Sequence, residues 1–282
     1  MSILAGINRL IEIFIDVLKQ VGRGRIWLWL FLYFVLQWLI LEAHQEFTSP
    51  YLYDFISTWT GIFGEKQATG FMHYPGHFLL LPYFFEWARL FFGLIVEGLV
   101  LGAVSLLFYE SFVQVSREDR FRFRQLLPCW IHLVLAYIIL NGILMVFSFS
   151  LPNLLADMIR YSPRRIAFFE WILLPSLYTI VIAMLLAVVP SIVIYRDNII
   201  QALGRSLRLF IHNPITCLVI SVVVLVGPIV ISNISSDPTS IVENFKPELV
   251  YWVLVVGLAI GVIVNFIWMG TAVRLLVSEE RK

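Results

Sequence analysis

Residues 249–273 read LVYWVLVVGLAIGVIVNFIWMGTAV, a stretch of 25 positions without a charge. A helix needs roughly 20 apolar residues to cross a bilayer, and inside lipid its backbone groups must bond to one another. The stretch therefore reads as a membrane-spanning helix. Five further runs share its character: Ile26–Leu41, about Leu90–Phe112, about Leu127–Leu151, about Trp171–Tyr195 and about Ile215–Ile234. The first is short, so flanking residues or a locally thinned bilayer must make up the difference.

The whole chain agrees with these runs. Of its 282 residues, 60% are hydrophobic and 14% charged, against about 25% charged in an ordinary soluble domain. Too little polar surface remains to coat a water-exposed globule, which excludes a soluble enzyme and a disordered chain alike. A net charge of +1 offers no basic excess for nucleic acid. The expected fold class is all-α: a polytopic membrane protein forming one integral domain over 1–282, with six transmembrane helices and amphipathic interfacial helices.

Orientation follows the lysines and arginines near the span ends. Fourteen of the 20 fall on one side, in the N-terminal segment, the second-to-third and fourth-to-fifth connections and the tail. The other side holds Lys66, Arg89, Arg160, Arg164, Arg165 and Lys246. Both termini are thus expected on the cytoplasmic side of the cell (inner) membrane, although the Arg160–Arg165 cluster runs against the rule. Residues 1–20 contain Glu12 and Asp16 and do not read as a secretory signal, so the first span is expected to be an uncleaved anchor. The only cysteines, Cys129 and Cys217, lie at span starts and do not form a disulfide framework.

Three segments flank spans on the basic side. Residues 1–22 are expected to form an amphipathic interfacial helix, with Ile3, Ile7, Leu10, Phe14, Val17 and Val21 on one face and Arg9, Glu12, Asp16 and Lys19 opposite. Residues 197–213 form a second, with Ile200, Leu203, Leu207 and Phe210 against Gln201, Arg205, Arg208 and His212. It stops at Asn213, because the following Pro214 disfavours helix there. The third is Arg120-Phe121-Arg122-Phe123-Arg124. Arg120, Arg122, Arg124, Arg205 and Arg208 are candidate contacts to lipid phosphates. A basic segment before spans one, three and five suggests three repeated units of surface helix plus hairpin.

Residues 197–214, DNIIQALGRSLRLFIHNP followed by a span, resemble a pattern in poorly characterised bacterial six-helix membrane proteins similar to the membrane domain of glycerophosphoryl diester phosphodiesterases. Their loop commonly reads Ala-Leu, a basic residue, Ser, then Arg-Leu. Ala202, Leu203, Arg205, Ser206, Arg208 and Leu209 match, and Gly204 departs from the usual basic residue. The match covers under a tenth of the chain. The resemblance implies no catalytic residues, since the phosphodiesterase activity of that group belongs to a separate barrel domain for which this chain has no room.

Glu97 sits near the middle of the second span. A carboxylate there must be paired or neutralised, and Asn141 and Asn265 are the polar partners within reach of the pattern. It reads either as a proton or cation relay, or as a protonated acid fixing helix register against an asparagine. The pairs Gly98/Gly102 and Gly257/Gly261 suggest close internal helix packing, and Pro175, Pro190 and Pro228 suggest kinks. In the extracytoplasmic loop 43–88, His73 and His77 flank Pro75-Gly76, which is poor spacing for a helical ligand pair. A solvated, aromatic-rich loop is expected rather than a metal site. HExxH, Gly-x-Ser-x-Gly and P-loop signatures are absent.

The expected function is that of a non-catalytic integral membrane protein in membrane or envelope organisation. It would act through the lipid bilayer or a partner membrane protein, with no cofactor, metal or nucleic acid. The alternative is a small transporter or permease component with a polar path around Glu97, Asn141 and Asn265.

Overall fold

In a computed structural model, the structure describes residues 3–113, 122–156 and 162–280. Arg117, Arg120, Phe121, Arg160, Arg281 and Lys282, which entered the charge and lipid-contact expectations, lie outside them. Among the described residues there is helix and turn but no strand. Six helical stretches among the described residues are long and apolar enough to span a membrane, as the apolar runs require.

The elements are α1 (Ile3–Leu18), α2 (Gly24–Gln45), α3 (Tyr53–Gly61), α4 (Glu65–Phe71) and α5 (Gly76–Val113). After two 3-10 turns at Phe123–Gln125 and Leu127–Cys129 come α6 (Trp130–Leu154), α7 (Pro163–Phe168), a π-helical turn (Phe169–Leu173), α8 (Leu174–Leu185) and α9 (Val188–Tyr195). The chain ends with α10 (Ile199–His212), α11 (Pro214–Ser235), α12 (Pro238–Asn244) and α13 (Leu249–Glu280).

Several spans are longer than their apolar runs. The 38 residues of α5 reach about 57 Å at 1.5 Å per residue, well beyond a hydrocarbon core of about 30 Å. It starts at Gly76 and continues through Pro82, Glu86 and Arg89, residues that read as loop when only hydropathy is followed. The segment 43–88 is accordingly not an open loop: α3, α4 and the first turns of α5 fill much of it. Likewise α13 runs past Val273 to Glu280, carrying the charged or hydroxyl side chains of Arg274, Ser278, Glu279 and Glu280 beyond its apolar stretch.

The fourth span, Pro163–Tyr195, departs from regular α-helix twice, each time beside a proline. Pro175 lacks the amide that would bond the Trp171 carbonyl, and the preceding turn widens to π geometry. Pro190 likewise cannot serve Leu186, and the helix is interrupted between α8 and α9. Pro228, by contrast, sits inside an unbroken α11.

Among the described residues, two of the three expected surface segments are helices. Spans one and five come after the helices α1 and α10, whereas the described part of the third segment is two 3-10 turns with Arg122 and Arg124 exposed. Arginine–phenylalanine alternation has the period of a strand rather than a helix, and Pro128 punctuates the second of the two turns.

The chain divides into two compact units: residues 1–29, 94–225 and 264–282 form one, and 30–93 with 226–263 the other. The core of the first includes Ala103, Leu126, Leu133, Ile192, Val193 and Ala202. Here Gly98 lies where a Cβ would meet Leu133 at 3.1 Å, and Gly102 where one would meet Val193 at 3.1 Å. Both glycines thus serve packing inside the chain. The core of the second gathers Leu41, Ile56, Phe71, Phe84, Ile241 and Leu254 from six helices. There Gly257 faces Ile231 at 2.7 Å from a built Cβ, while Gly261 has open space.

Candidate functional site

The first unit concentrates its buried and paired polar groups around α10, α1 and the charged end of α13. Helix α10 begins with a capping box: Asn198 accepts from the Gln201 amide at 2.9 Å, and the Gln201 side chain accepts from the Asn198 amide at 3.2 Å. Ahead of it, Arg196 adopts a left-handed φ of 57°, closing α9 and turning the chain so that Asp197 is buried. Asp197 accepts from Arg205 at 2.8 and 3.4 Å, and the Arg205 guanidinium lies 4.0 Å over the Tyr195 ring. The bond from Asp197 stabilises the cation and raises the Arg205 pKa, with burial opposing it.

Helix α10 has three faces rather than two. Ala202, Ser206 and Leu209 are buried. Ile200, Leu207 and Ile211 line an exposed apolar stripe, 78%, 39% and 72% accessible. Gln201, Arg205, Arg208 and His212 form an exposed polar stripe between them. Helix α1 repeats the order. Ile13 and Val17 are buried, Ile7, Ile11, Ile15 and Leu18 are exposed, and Asn8, Glu12 and Lys19 are exposed polar residues. A helix lying flat in an interface needs one face for protein, one for hydrocarbon and one for water.

The buried face of α10 repairs the break in the fourth span. Ser206 donates to the Met184 carbonyl at 2.7 Å and accepts from the Ala187 amide at 3.1 Å. Trp268, from α13, donates its indole N–H to the Leu186 carbonyl at 3.2 Å, which is the acceptor that Pro190 leaves without an amide. Beside the break lies a small apolar crevice lined by Ala136, Leu140, Leu185, Val189, Leu203 and Trp268.

At the other end of α10, Asn213 joins three helices. Its side-chain oxygen accepts from Arg9, and its amide nitrogen donates to Glu279 at 3.1 Å. Arg9 also donates to Ser278 at 2.7 Å and to Glu279 at 2.6 Å. Further along α1, Asp16 accepts from Arg274 at 2.9 Å and from Lys19 at 3.0 Å. Burial alone would raise the Asp16 pKa, but hydrogen bonds from Lys19 and Arg274 outweigh it and lower it. The Arg274 guanidinium lies 5.7 Å from the Phe112 ring centroid, and Ser111 bonds the Gln20 side chain.

These pairs revise the reading of α1. Arg9 does not share a solvated face with Glu12 and Lys19 but turns toward Glu279, and Asp16 bridges Lys19 on its own helix and Arg274 on α13. A helical wheel shows the direction of a side chain but not whether water or a counter-charge waits there.

Of the other candidate residues, Arg122, Arg124 and Arg208 form no ion pair among the described residues, whereas Arg205 is held by Asp197. Glu97 is half-buried on α5 beside Gly98. Asn141 donates to the Tyr137 carbonyl of its own helix at 3.0 Å, and half-buried Asn265 precedes Phe266, which stacks on Trp27 at 4.8 Å. Sequence reasoning missed the roles of Ser206, Trp268 and Asn213. The signal for Trp268 was present in part, since Pro190 orphans Leu186 by rule, but nothing in the sequence names the donor.

No protein family, curated protein or solved structure matches this chain.

Proposed function

We propose that this chain is a non-catalytic integral membrane protein that organises the membrane around it, gripping the leaflet on its basic side. The three-faced α10 carries this reading: an exposed apolar stripe for hydrocarbon runs beside an exposed stripe bearing Arg208. Arg122 and Arg124, outside any ion pair among the described residues, add charge suited to lipid phosphate, each worth about 1 kcal/mol near an anionic surface. The ion pairs of Arg9 and Asp16 favour a fixed support for the interfacial helices. The resemblance of residues 202–209 to the bacterial six-helix proteins fits this role, with Ala202, Ser206 and Leu209 supplying the buried face and Arg208 the exposed one.

Spin labels at Ile200, Ile211, Gln201 and Arg208 in liposomes test the placement. Labels at the two isoleucines should be accessible to oxygen and shielded from a water-soluble relaxant, and those at Gln201 and Arg208 the reverse. Uniform aqueous access overturns the proposal. Purification in mild detergent with lipid analysis tests the charge: Arg122→Glu with Arg124→Glu and Arg208→Glu should strip co-purified anionic lipid. Retention equal to wild type would remove the arginines from the reading.

A further inference from the structure

The second unit holds a concentration of unsatisfied groups that membrane insertion does not explain. Eight buried side-chain polar atoms among the described residues have no hydrogen-bond partner, and five lie between residues 44 and 77: His44 Nε2, Gln45 Oε1, Trp59 Nε1, and both ring nitrogens of His77. His44 is 3% exposed and His77 2%. Buried polar atoms are nearly always paired, and an exception points to a water, an ion or a functional site.

The two imidazoles share one aromatic enclosure. Phe47 stacks on His77 with centroids 4.3 Å apart, and Phe71 lies against the same ring at 4.4 Å. The Phe71 ring also meets His44 edge-on at 6.3 Å. Coverage of the ring faces leaves the in-plane nitrogens as the reactive edge of His77. The Phe71 carbonyl approaches without meeting hydrogen-bond geometry. His44 Nδ1 is engaged by the Ile40 carbonyl at 2.7 Å, which makes Nδ1 the protonated nitrogen and leaves Nε2 with a free lone pair. Backbone orientation of one imidazole nitrogen is the usual preparation of the other for a metal. Met72, partly buried and next in the chain to Phe71, packs against the apolar core to which Phe71 belongs.

We propose that His44 and His77 bind a single monovalent soft metal ion, copper(I), with Met72 as an accessory donor. The donor set decides the class. Imidazole and thioether suit copper(I), and a d10 monovalent ion is content with two or three neutral ligands. A divalent ion such as zinc takes at least three protein ligands, and no group of three or more His, Cys, Asp or Glu side chains that could hold a metal occurs among the described residues. The pairing was invisible in the sequence, where His77 stands close to His73. His73 is exposed, and the partner comes from the end of α2.

The full-length chain in detergent is loaded with copper(I) under argon, passed through a desalting column and assayed for metal by mass spectrometry. One copper per chain is expected. His44→Phe or His77→Phe should lower it at least tenfold, while His73→Ala and the pair Cys129→Ser with Cys217→Ser should keep it. Failure of the wild type to retain copper, or retention by His77→Phe, overturns the proposal and leaves buried water as the partner of these nitrogens. X-ray absorption on the loaded wild type needs no substitution: nitrogen neighbours support the site, and an all-sulfur shell overturns it.

Discussion

The indole nitrogen of Trp268 lies 3.2 Å from the carbonyl oxygen of Leu186, the acceptor that Pro190 cannot serve from within its own helix. With Ser206 bonding both Met184 and Ala187, the interrupted fourth span has its freed backbone groups met by side chains of α10 and α13. Hydrocarbon offers no water to do this. Ser206→Ala should therefore destabilise the protein by about 1–3 kcal/mol, the cost of stranding a buried backbone group. Trp268→Phe, which keeps an aromatic ring but removes the donor, should cost about as much. Thermal unfolding in detergent measures both, and a Ser206→Ala variant as stable as wild type contradicts the bracing role.

The Arg9 guanidinium reaches Glu279 within the network around Asn213, and its side chain is 13% exposed. Charge-assisted bonds of this kind are stronger than neutral ones, and removing one partner weakens the hold on the other. Arg9→Ala should loosen α1 at a cost of about 2–3 kcal/mol. A double-mutant cycle with Glu279→Ala should return a coupling of about 1–3 kcal/mol. Coupling near zero would mean that apolar packing alone holds α1.

Asp16 gives the same attachment a pH dependence. Its folded pKa is depressed below the ordinary 3.8, so its contribution is fully present above about pH 4 and is lost as pH falls through the folded value. Protease access to α1 should rise only on acidification below about pH 4, and Asp16→Asn should show the raised access at neutral pH as well. Lys19 is one of the two donors that hold the Asp16 pKa down, so Lys19→Ala should move the onset of protease access toward higher pH, while this exposed pair adds little to stability at neutral pH.

The six spans were legible because lipid imposes one simple rule, a long run without charge, and that rule leaves a mark in every window. The span ends were not, because a helix continues into water or headgroups once hydropathy stops reporting it: α13 runs on through Arg274 and Glu279, and α5 begins ahead of Pro82 and Glu86. The faces of α1 were half legible. Period 3.6 separates Ile13 from Glu12, but Arg9 and Asp16 look like Lys19 until a counter-charge 258 or more residues later in the chain is in place. The buried face of α10, with Ser206 on it, stands in the motif that prompted the resemblance. Its target, a helix break 19 to 22 residues upstream, is a tertiary fact.

Gly270 shows how close α1 must come. A Cβ there would lie 2.6 Å from Val17 and 2.9 Å from Phe108. Gly270→Val should displace α1 and destabilise by about 1–3 kcal/mol, the usual cost of overpacking. Gly261→Ala, where nothing lies within 4 Å, should be neutral or stabilising through helix propensity. Thermal unfolding of the two variants side by side should rank them in that order, and equal stability would mean that α1 yields without cost.

Glu97 separates the scaffold reading from the transport alternative. It is half-buried in the middle of α5 beside the Gly98–Leu133 contact, where an ionised carboxylate is costly and a protonated one is a hydrogen-bonding group like an amide. Asn141, the partner expected from the sequence, donates within its own helix. Glutamine keeps the shape and the donor–acceptor pair but cannot carry a proton through a cycle. Glu97→Gln should therefore stay within about 1 kcal/mol of wild type in thermal unfolding, and Glu97→Leu, which removes both polar atoms, should lose more. In proteoliposomes with an imposed pH gradient, wild type and Glu97→Gln should show the same background proton leak. A proton flux present in wild type and abolished in Glu97→Gln would establish a relay and replace the scaffold with a transporter.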